Sequence, residues 1–130
     1  MTIKLTDNEW DIVEHHLSLS DAIAEVLTDG LDPNMPEDQR ELIFEQVQDE
    51  VEALRKTIEL TKIIDLDTIT RHQRDALADC LDGNTFFADM DDAVFEGHWS
   101  KGKALALRKA GHSLQRKFNK AGIEGDMVWD

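Results

Sequence analysis

Residues 36–62 read PEDQRELIFEQVQDEVEALRKTIELTK. Phe44, Val47, Val51, Leu54 and Ile58 recur at alternating steps of three and four, and Ile43 widens the set on one side. At about 100° per residue these side chains share one narrow sector of a helix, which makes them a core stripe around which the remaining helices pack. Pro36 suits the first position of that helix, where its missing N–H is no loss.

The opposite side of the same helix carries Asp38, Glu41, Glu45, Asp49 and Glu52, again spaced by threes and fours. They lie within roughly 80° of one another and, at about 1.5 Å rise per residue, cover about 21 Å of axis. Like charges at i,i+4 cost a helix a few tenths of a kcal/mol each, and bases answer them only at Arg55 and Lys56. An ordinary solvated face accounts for such a row; the sharper reading is a rail of phosphate-like charges.

Upstream, Thr6 and Glu9 form a capping box, with Leu5 and Trp10 placed as a hydrophobic staple. Trp10, Val13, Leu17, Ala24 and Leu27 continue one helical face, and a single helix ending near Gly30 is expected, with Ser18 and Ser20 offering a restart as the alternative. A loop over residues 30–36 leads into the central helix. Downstream, Ile63-Ile64-Asp65-Leu66-Asp67 is too short to be counted as a strand. Thr70 and Gln73 repeat the capping box and open a helix through Leu81 that Gly83 ends. The two boxes and their following apolar positions match at a constant offset, but Trp10 against Arg74 breaks the echo, so the pattern is two similar helix pairs rather than a repeat.

Residues 84–99, NTFFADMDDAVFEGHW, hold Phe86, Phe87, Met90 and Trp99 among four acids and no base. They read as a short core-facing helix or as a partner-binding surface with aromatic anchors. An EF-hand starting at Asp89 would need glycine where Val94 stands and glutamate where Ser100 stands, so that calcium motif is absent. Ser100 caps the last helix, whose inner face is Ala104, Leu107, Gly111, Leu114 and Phe118 and whose outer face is Arg108, Lys109, His112, Arg116 and Lys120. The tail at 125–130 is expected to be loose unless Trp129 docks it.

At 130 residues the chain is one domain, residues 1–130, long enough to bury a core. The fold class expected is all-α, a bundle of four to five helices with no significant sheet. Net charge is −14, unevenly spread: residues 1–100 carry 7 bases and 25 acids, residues 101–130 carry 7 bases and 3 acids. That asymmetry predicts either internal neutralisation or a site for an acidic partner. The lone Cys80 excludes an intramolecular disulfide, Met1 is not followed by a secretory pattern, and no run reaches the length of a membrane span, so a cytoplasmic protein is expected.

No catalytic, metal-ligating or cofactor-binding motif is present: the five histidines show no metal spacing, and there is no G-x-S-x-G elbow or glycine-rich phosphate loop. The expected function is therefore non-enzymatic, without cofactors. The first reading is a small acidic protein–protein interaction module, an adaptor, regulator or self-assembling accessory protein of the phage or mobile-element type. Its leftover apolar positions Leu42 and Leu105 stand on otherwise charged faces. The second is a nucleic-acid mimic that occupies the binding channel of another protein. Surface scaling gives about 7,000 Å², or one net charge per roughly 500 Å², against roughly one per 100 Å² for duplex DNA, so a mimic must concentrate its carboxylates on one face. A third reading, nucleic-acid binding through the basic last helix, is opposed by the charge of the body, and nucleic acid is not the expected direct ligand.

Overall fold

The computed structural model describes residues 1–80, 97 and 99–123. In chain order these form β1 (Thr2–Lys4), α1 (Asp7–Leu17), α2 (Ser20–Thr28), α3 (Glu37–Thr61), β2 (Ile63–Asp65), α4 (Arg71–Asp79) and α5 (Lys101–Lys120). The fold is mainly α, with five helices among the described residues and one two-stranded ribbon. The expected helix stop at Gly83 and the loose tail at 125–130 lie outside the described residues.

The central stripe is the core. Val47, Val51, Leu54 and Ile58 of α3 are buried, with Ile43 and Phe44 half-buried against them. α2 and α4 pack on α3, and α1 lies between α3 and α5. Trp10, Val13 and Leu17 of α1 and Leu107, Leu114 and Phe118 of α5 complete the interior.

Local chemistry sets the helix ends. Thr6 Oγ1 accepts from Glu9 N–H at 3.3 Å while Glu9 Oε1 accepts from Thr6 N–H at 2.9 Å. Thr70 and Gln73 do the same at 3.1 and 2.9 Å, and Ser100 Oγ accepts from Lys103 N–H at 3.1 Å. Each box satisfies donors that a helix N-terminus leaves open. At the far end of α5, Gly122 takes φ +82°, its N–H donates to Asn119 O at 3.1 Å, and Ile123 N–H donates to Phe118 O at 2.9 Å. This is a Schellman closure, and the buried Ile123 and Phe118 complete it with their side chains.

Three expectations are corrected. The first helix is two: Ser18 N–H donates to Glu14 O, Ser18 Oγ to His15 O at 2.7 Å, and Leu19 leaves the helical region at φ −92°, ψ 49°. A serine that binds its own preceding turn competes with helix continuation, and the break folds α2 back so that Ile23 and Ala24 bury beside Leu17. Pro36 stands one residue before α3, at its N-cap rather than its first position. Residues 63–65 form a strand after all, paired antiparallel with β1 in the register Thr2↔Asp65, Ile3↔Ile64, Lys4↔Ile63. Ile3 and Ile64 point together into the core, and the alternation of burial along both strands is that of a one-sided ribbon.

α3 ends unusually. Lys62 adopts the left-handed conformation, φ 57°, a place where glycine is common and lysine is not. Its carbonyl accepts from Leu5 N–H at 2.8 Å, and its ammonium sits 4.8 Å from the Trp10 ring centre. The turn out of the central helix is thus locked to the turn into the first.

Candidate functional site

α3 turns its acidic rail to solvent. Asp38, Glu41, Glu45 and Asp49 are exposed and Glu52 is half-buried. Among the described residues no ion pair reaches any of the five. The bases of the last helix do not neutralise this face: Lys103 pairs with Asp11 and Lys117 with Glu9, both on α1. Arg108, Lys109, Arg116 and Lys120 are exposed on α5, and His112 is half-buried there. Acidic and basic faces therefore belong to helices on opposite sides of α1.

The rail has a neighbour that the sequence reading missed. Asp21, Glu25 and Asp29, spaced by four on α2, are all exposed, and Asp21 Oδ1 accepts from Gln48 Nε2 of α3 at 2.6 Å. With Thr28 and Glu41 lining one groove and Asp21 bonded to Gln48, the two helices run antiparallel, and Glu41 and Glu45 of the rail border that groove. The groove has a volume of about 370 Å³ and is lined by Thr28, Leu31 and Phe44 together with Arg40, Glu41, Glu45 and Gln48. The i,i+4,i+8 spacing on α2 was visible in the sequence; its adjacency to α3 depends on the antiparallel packing.

Arg40 closes the loop end of this groove. Its Nη2 donates to Asp32 O at 2.6 Å, and its Nε is buried without a hydrogen-bond partner. The loop itself is held by an Asx turn in which Asn34 N–H donates to Asp32 Oδ1 at 2.9 Å.

Elsewhere the titratable groups tie helices together. His72 Nδ1 meets Glu50 Oε2 at 2.5 Å, joining α4 to α3, and His16 Nε2 lies 3.2 Å from Asp79 Oδ2, joining α1 to α4. Glu9, buried, keeps a pKa below the ordinary glutamate value. Burial pushes it up, but the Lys117 ammonium at 2.6 Å and the Thr6 N–H outweigh that, with a smaller contribution from Ser113. Its Oε2 has no partner of good geometry. Burial pushes the Cys80 thiol far up, so it is held as a neutral packing group. Among the described residues no three His, Cys, Asp or Glu side chains are arranged to hold a metal ion, and no helix is long and apolar enough to cross a membrane.

Of the aromatic segment, Phe86, Phe87 and Met90 lie outside the described residues. Trp99 is half-buried against the core and meets the His15 ring edge-on, with centroids 6.0 Å apart. Leu42 and Leu105 are exposed, at 66% and 63%, and Leu42 stands on the same face of α3 as the rail. Comparison with known proteins gives no match: no family model, no curated protein and no solved structure matches the chain.

Proposed function

We propose that this protein is a non-enzymatic, cytoplasmic interaction module that contacts a basic protein surface through the joined acidic faces of α2 and α3. One observation carries the reading: among the described residues no ion pair reaches the rail from Asp38 to Glu52, while Arg55 of the same helix pairs with Glu59 and the last helix directs Lys103 and Lys117 to α1. Unopposed like charges on one helix lower its own stability, which favours a role in attracting something of opposite sign. Exposed Leu42 and Val26 beside the carboxylates supply apolar contact that charge alone does not.

A second reading is favoured by the spacing of the charges. Five carboxylates over about 21 Å give one per roughly 5 Å of helix axis, against one per about 3.4 Å along a single DNA strand. That local density, doubled by the α2 row, supports a nucleic-acid mimic in which the basic partner is a nucleic-acid-binding channel.

The test is capture of partners by the tagged protein and by a variant with Glu41→Lys, Glu45→Lys and Asp49→Lys, washed at about 50 and about 500 mM salt, where the Debye length falls severalfold. A retained protein that is lost both at high salt and with the variant supports the proposal, and a nuclease or polymerase among such proteins favours the mimic. Partners held equally by both forms would overturn it.

A further inference from the structure

We propose that the groove between α2 and α3 is a socket for a lysine side chain of the basic partner, its methylene stem lying on Phe44 and Leu31 and its ammonium held between Glu41 and Glu45. The inference rests on the acidic-face reading above and names what that face recognises. The groove volume of about 370 Å³ is many times the ~30 Å³ share of one water in the liquid, so it takes a side chain rather than a solvent bridge. Its floor is apolar, from Leu31 and the half-buried Phe44. Long cationic side chains bury such stems while keeping the charged head at a polar rim.

The charges choose the sign of the occupant. Glu41 and Glu45 stand at i,i+4, their Cβ atoms about 5–6 Å apart, and neither has a described cationic partner. The one cation in the lining, Arg40, is tethered by its guanidinium to Asp32 O. A bound cation lies toward Gln48, away from Arg40, where Asp21 adds a third carboxylate through its bond to Gln48. Lysine presents a compact ammonium that two carboxylates can share as a point charge, at the end of a flexible four-carbon stem.

The experiment is an NMR titration of the full, 15N-labelled chain with a helical alanine-based peptide carrying lysine at every fourth position, and with matched peptides carrying acetyl-lysine or arginine. Saturable amide shifts centred on Thr28, Leu31, Phe44 and Gln48, absent with the acetyl-lysine peptide, are expected. The exposed-site variant E41Q/E45Q should bind roughly tenfold more weakly, as expected for the loss of two exposed ion pairs. T28F, which fills the groove and keeps every carboxylate, should lose the shifts at Phe44 and Gln48. Binding that T28F leaves intact would overturn the socket while the acidic-face reading stood. Equal binding of the arginine peptide would overturn the assignment to lysine. No binding by the lysine peptide would overturn the socket, and only the capture experiment with the charge-reversed protein bears on the wider reading.

Discussion

The Lys117 ammonium reaches the buried Glu9 carboxylate at 2.6 Å and joins residues 108 positions apart. It also donates to Lys4 O at 2.9 Å, so one amine at the end of α5 fixes both the first strand and the first helix. Lys117→Ala leaves the Glu9 carboxylate buried without its counter-charge. Breaking a buried pair costs about 3–5 kcal/mol, and the one-third exposure of Lys117 reduces that to about 2 kcal/mol here. Glu9→Gln, which removes the charge itself, costs less. Because the Glu9 pKa is lower in the folded chain, the unfolded chain binds more protons, so this stabilisation is full at neutral pH and is lost as pH falls below the ordinary glutamate value of about 4.3. Urea unfolding at pH 7 and pH 3 checks both: the gap between wild type and Glu9→Gln should narrow in acid.

Lys62 inverts the usual ranking of alanine over glycine near a helix. Lys62→Ala keeps the left-handed backbone, with its penalty of about 1–2 kcal/mol, and loses the contact with Trp10, worth about 0.5–1 kcal/mol. Lys62→Gly loses the contact but relieves the strain. Thermal unfolding should place the glycine variant near wild type and the alanine variant below it by about 1 kcal/mol.

The local parts of this fold were readable in advance. Both capping boxes and the stripe from Phe44 to Ile58 depend on spacings of three and four, which the chain order displays directly. The ribbon was not readable in the same way, because three residues carry little strand signal and Ile64 finds Ile3 some 60 residues away. The break at Ser18 turned on a choice between two permitted outcomes that only the burial of Ile23 and Ala24 decides. The rail was legible on α3, but its partner row on α2 gained meaning only when Asp21 met Gln48.

Replacing Glu41, Glu45 and Asp49 by Gln tests whether the rail serves the fold. The i,i+4 repulsions they remove are worth roughly 0.2–0.5 kcal/mol each, so the triple variant should be slightly more stable than wild type in dilute buffer and equal to it at high salt. A loss of stability in circular dichroism melts would mean that these carboxylates hold structure rather than await a partner.

Cys80, fully buried with its thiol pushed well above the ordinary cysteine value, should resist iodoacetamide in the native protein. Labelling followed by mass spectrometry should proceed at the rate at which α4 opens, and should become rapid in about 6 M urea, beyond the unfolding midpoints usual for small domains.

The ribbon imposes an order of events on a chain made from its N-terminus. β1 has no partner until residue 65 has been synthesised, and from then α1, α2 and α3 are enclosed between two paired strands, stitched again where the Met1 ammonium meets Asp67 at 2.7 Å. Glu9 must wait much longer, until Lys117 arrives with α5. Until α5 is made the Glu9 carboxylate has no counter-charge, and the final helix both completes the core and supplies it.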